Sequence, residues 1–97
     1  MLVHVVLMRF KAPLTETQTK EIAEGFARLA GLIPQIRSYA YGRDLALKTG
    51  NADYALVAEF ASEQDLSIYR DHPEHLAFAK TVMGPLLETV QACQFSK

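Results

Sequence analysis

Residues 2–11 are apolar on both alternating sides: Leu2, His4, Val6, Met8 and Phe10 share one, Val3, Val5, Leu7 and Arg9 the other. A strand buried on both faces explains that pattern, and Pro13 stops it. The period then lengthens. Thr15 and Gln18 have the spacing of a capping box, and Ile22, Phe26, Leu29 and Ile33 form one apolar helical stripe. Gly31 and Pro34 close that helix. Residues 36–45 alternate again, with Arg37, Tyr39, Tyr41, Arg43 and Leu45 opposed by the small Ser38, Ala40 and Gly42. A loop over 44–51 turns at Gly50-Asn51. Residues 53–60 read as a strand with Tyr54, Leu56, Ala58 and Phe60 on one face. Ser62 and Asp65 predict a capped short helix reaching Tyr69. Pro73 opens a last helix to about Met83, with Leu76, Ala79, Val82 and Met83 as its core stripe, and Gly84-Pro85 breaks it. Residues 87–95 form a final strand, with Leu87, Thr89, Gln91, Cys93 and Phe95 on one side.

This order is the β-α-β-β-α-β pattern of ferredoxin-like α+β folds, a four-stranded antiparallel sheet with helices on one face. The two-sided apolar first strand implies that the other face is covered. The expected arrangement is a dimeric α/β barrel, a homodimer joined through its sheet faces. Tyr39 and Tyr41, flanked by Arg37 and Arg43, are expected on that dimer-facing side.

The 97 residues suffice for a single domain, residues 1–97, and 49% of them are hydrophobic, a high share that again favours a second subunit. The net charge of −1 and the scattered basic residues argue against a nucleic-acid partner or a polybasic membrane contact. The opening apolar run is too short to span a bilayer. Cys93 stands alone, so an internal disulfide is ruled out and a reducing cytoplasm is the expected location. It reads as a small buried hydrophobe.

The chemistry concentrates in residues 68–78. Pro73 sits where a helix begins, which makes His72 a cap residue and puts His75 in the first turn. The positive end of a helix disfavours imidazolium, and neutral imidazole is what a general base needs. Tyr69 lies six residues earlier, so a phenol and an imidazole converge at one corner. The plainer reading is a capped helix–helix junction. His4, on an apolar strand face, reads first as a hydrogen-bonded packing residue. His72 and His75 have a metal-pair spacing, but no further ligand set accompanies them, and no metal or other cofactor is expected.

Three blocks carry a family resemblance: Val3 through Lys11 with Leu14-Thr15; Ile33-Pro34-Gln35-Ile36 running into Tyr41-Gly42-Arg43-Asp44; and Phe60 through Leu66 with Tyr69 and His72-Pro73-Glu74-His75. They resemble the stress-responsive A/B barrel domain (Dabb) family. The resemblance implies a dimeric barrel with an apolar pocket for a hydrophobic or aromatic small molecule, and leaves the activity open. A polyketide cyclase of that family implies an alternative, intramolecular aldol chemistry, with His75 as general base, Tyr69 as hydrogen-bond donor and His4 in the pocket. At Phe26 and Leu56 the chain has apolar residues where that cyclase has polar pocket groups. By fold analogy alone, a cofactor-free or haem-degrading monooxygenase is a further alternative.

Overall fold

A nine-residue strand, β1 (Leu2–Phe10), runs between two others through the middle of the sheet in the computed structural model, which describes residues 1–97. It is followed by α1 (Glu16–Leu32), β2 (Ser38–Arg43), β3 (Tyr54–Phe60), α2 (Glu63–Asp71), α3 (Pro73–Phe78), a π-helical turn (Ala79–Met83) and β4 (Leu87–Ser96). The strands lie in the order β2-β3-β1-β4, and every neighbouring pair is antiparallel. The helices fall on one face, which is the ferredoxin-like arrangement.

Local chemistry sets the boundaries. Thr15 Oγ1 accepts from the Gln18 amide at 3.0 Å, and Gln18 Oε1 accepts from the Thr15 amide at 2.9 Å. This reciprocal cap contributes about 1 kcal/mol to α1. The α1 stripe of Ile22, Phe26 and Leu29 then buries against Tyr54, Leu56, Ala58 and Phe60 of β3. Phe26 is ringed by Tyr39, Tyr41, Tyr54 and Phe78, with centroids 5.1 to 6.0 Å away.

Gly25 is required by this packing. A Cβ there would lie 2.0 Å from the Phe78 ring, so α1 and α3 can approach only where the side chain is absent. Gly25→Ala should therefore destabilise the chain by about 1–3 kcal/mol through overpacking, although alanine is the better helix former. A urea denaturation midpoint at or above that of the wild type would refute this.

Four expectations need correction. Tyr39 and Tyr41 lie on the helix side of the sheet, against Phe26, and not on the dimer-facing side. The open face instead carries their small neighbours Ala40 and Gly42, which pair with Val57 and Ala55. Leu87 leaves the face of Thr89 and Cys93, because an irregularity between Arg9 and Phe10 shifts the β1–β4 register and turns Leu87 toward the core. Leu76 is exposed, while Phe78, Val82 and Met83 pack inward. Cys93 is exposed on the open face, opposite Val5.

Beyond Leu87 the helices leave β4 uncovered. Val90, on its helix side, is 50% exposed, and every β4 residue after Leu87 is exposed. The open face presents Val5, Leu7, Val57 and Phe95, with Leu7 43% exposed. No helix is long and apolar enough to cross a membrane.

Candidate functional site

The site is built on the elbow between α2 and α3. Ser62 Oγ accepts from the Asp65 amide at 3.1 Å and starts α2. His72 ends α2 and also caps α3: its Nδ1 accepts from the Glu74 amide at 3.1 Å, and Pro73 fills the first helical position. His72 is thereby occupied as a structural cap. The elbow leaves Tyr69 facing the sheet, 2% exposed, and brings His75 over its ring at a centroid distance of 4.4 Å. Phe60 of β3 holds the Tyr69 ring at 5.2 Å. His4 of β1 meets the same ring edge-on at 6.4 Å. From β2, the Tyr39 hydroxyl lies 2.7 Å from the Tyr69 hydroxyl. His4, Tyr39, Tyr69 and His75 thus converge from four elements, β1, β2, α2 and α3.

The hydrogen bonds fix which nitrogens are basic. His75 Nδ1 is 3.0 Å from the Arg70 carbonyl oxygen. A carbonyl only accepts, so neutral His75 carries its proton on Nδ1 and leaves the Nε2 lone pair free. His4 has the opposite tautomer. Its Nδ1 accepts from the Gln94 amide nitrogen at 2.9 Å, so its proton is on Nε2. One imidazole offers a base and the other a donor.

Burial lowers the pKa of both histidines from the ordinary value of 6.5. For His75 the bond to Arg70 opposes this in part; for His4 the charges of His75 and Arg70 add to it. Desolvation, more than the helix end, keeps these rings neutral. Burial also raises the phenols of Tyr69 and Tyr39, so both remain protonated donors.

These shifts have a consequence for stability. On acidification the unfolded chain takes up the histidine protons before the folded one does. The histidines' contribution is therefore complete above about pH 6.5 and is lost as pH falls through the depressed folded values. The urea midpoint should drop between about pH 7.5 and about pH 5.5, less steeply in His75→Asn. Equal slopes in the two proteins would show that His75 is not held neutral by folding.

Phe26 and Leu56 are packed side chains of the core, with Leu56 beside Tyr41 and Val6 in the sheet register. No group of three or more His, Cys, Asp or Glu residues is placed to hold a metal ion. Surface hollows lie elsewhere: one, of about 400 Å³, is lined by Lys11, Arg43, Asp44 and Asp53, and another, of about 430 Å³, lies between Leu7 and the exposed Leu45 and Leu47. Sequence reasoning missed Tyr39 and Gln94 as members of the cluster. The alternation of β2 carried a signal for Tyr39, but Gln94 had none.

The stress responsive A/B barrel domain model matches residues 2–97. The chain is 29% identical over 85 residues to the stress-response A/B barrel domain-containing protein HS1 of Arabidopsis thaliana, covering 86% of this chain and 78% of that protein. It is 29% identical over 77 residues to olivetolic acid cyclase of Cannabis sativa, covering 77% and 76%. A dimeric ferredoxin-like protein of unknown function from Thermobifida fusca superposes with a TM-score of 0.89 at 33% identity, over 99% of this chain and 90% of that one. The chain belongs to the stress-responsive A/B barrel domain family.

Proposed function

We propose that this chain forms a homodimer whose His75–Tyr69 site binds a small carbonyl compound and moves a proton beside its carbonyl without a cofactor, as a cyclase of the aldol type. The observation that carries the reading is the His75 tautomer: Nδ1–H is committed to the Arg70 carbonyl, so Nε2 is free to act as base over the Tyr69 ring. The likeness to olivetolic acid cyclase supports it. The uncovered apolar sheet face and the dimeric Thermobifida relative support the homodimer.

Nε2 of His75 takes a proton from a carbon between two carbonyl groups, leaving an enolate. The Tyr69 hydroxyl donates to the enolate oxygen, where negative charge develops. The enolate carbon attacks a second carbonyl of the same chain and forms a C–C bond. The imidazolium returns its proton to the resulting alkoxide. Neutral phenols and imidazoles suit this chemistry, because an enolate forms more readily next to donors than next to carboxylates.

The test is deuterium uptake at the central carbon of ethyl 3-oxobutanoate in D2O, followed by proton NMR. The reading expects acceleration over buffer, rising with pH through an apparent pKa below 6.5. No acceleration, together with saturable binding of the ester, would leave a small-molecule binding protein in place of an enzyme.

A further inference from the structure

We infer that Tyr39 is a positioning residue of this site: its hydroxyl, 2.7 Å from that of Tyr69, donates to the Tyr69 oxygen and so turns the Tyr69 proton toward the substrate oxygen. The inference rests on the proposed proton-transfer reading and adds a residue to it.

A phenol has one proton. If Tyr69 spends it on Tyr39, it has none for an enolate oxygen. The donor arrangement that serves the substrate is therefore Tyr39 O–H to Tyr69 oxygen, and Tyr69 O–H to substrate. A hydroxyl that accepts a hydrogen bond also donates a stronger one, because the two bonds polarise each other. The surroundings leave this rotation as the main freedom of the pair. The Tyr69 ring is held between Phe60 and His75, and Tyr39 is held edge-on by Phe26, Tyr41 and Tyr69. Tyr69 is the one hydrogen-bond partner of the Tyr39 hydroxyl in the structure. Neither phenol ionises near neutral pH, since burial raises both.

Tyr39→Phe removes one oxygen and keeps the ring in its aromatic cluster. In the ester exchange assay it should lower kcat by about 10-fold and change KM less than about two-fold, as expected for an interaction that tightens only as charge develops. In a Tyr69→Phe background the same change should have no further effect, because its route to the substrate is gone. An unchanged kcat, or an equal loss in both backgrounds, overturns the inference. A second readout does not depend on turnover. With tyrosine labelled at 13Cζ, loss of a bond that Tyr69 accepts should shift its resonance in the direction of phenolate formation. A shift in the opposite direction means that Tyr69 donates to Tyr39, and the inference fails even if the enzyme is active. If the wild type shows no exchange while the Cζ shift is as expected, the proton-transfer reading fails and the Tyr39 bond stands.

Discussion

His75→Asn is expected to slow deuterium uptake by about 10²–10⁴-fold, the usual contribution of a positioned general base. Asparagine is the informative replacement. Its amide nitrogen can still donate to the Arg70 carbonyl, which His75 meets through Nδ1. It has no group in the place of Nε2. The elbow should therefore persist while the base disappears. The pH profile should change as well. The wild type gains activity as pH rises through the lowered His75 pKa, whereas the residual rate of the variant should lack that step. Near-equal rates in the two proteins, with an unchanged circular dichroism spectrum, would remove His75 from the mechanism.

The second large effect is expected at the opposite side of the sheet. Val5 pairs with Val57 and Cys93 on the open face and points away from the helices. If two copies stack their sheets about a two-fold axis, each substitution there enters the interface twice. Val5→Glu should then bring in two unpaired carboxylates, each costing about 3–5 kcal/mol when left buried and uncompensated. Sedimentation should show a wild-type dimer and a monomeric variant at micromolar concentration. The fold itself should survive, since Val5 belongs to none of the helix-side core contacts. A variant that remains a full dimer would locate the interface elsewhere.

The sequence carried local chemistry well and orientation poorly. The caps at Thr15, Ser62 and His72 were legible because each is a hydrogen bond between residues two or three apart. The strand order followed from element order, and β1 was recognisable by having two apolar sides. The Tyr39 side of β2 was assigned to the wrong face because a period of two says which residues travel together, not which way they point. The deciding term was volume: the aromatic set fills the space under α1, and Ser38, Ala40 and Gly42 suit an open face. The tautomers of His4 and His75 depend on Gln94 and on the Arg70 carbonyl, and no residue spacing encodes either contact. The close approach of Phe78 to Gly25 joins residues far apart in the chain, so no local spacing marks that glycine as a packing position.

The π-helical turn after α3 closes with the Gly84 amide donating to the Ala79 carbonyl at 2.7 Å, one residue wider than an α-helical turn. Each residue of an α-helix rotates the side-chain direction by about 100°, so one extra residue resets the phase between the two ends. That reset lets His75 rest on Tyr69 while Met83, at the far end, still reaches the core. A shortening by one residue between Ala79 and Met83 would make the helix regular and force a choice between the two contacts. The length of this turn is thus a phase setting that couples the candidate base to the hydrophobic interior, and a deletion there would misaim His75 without altering any residue of the site.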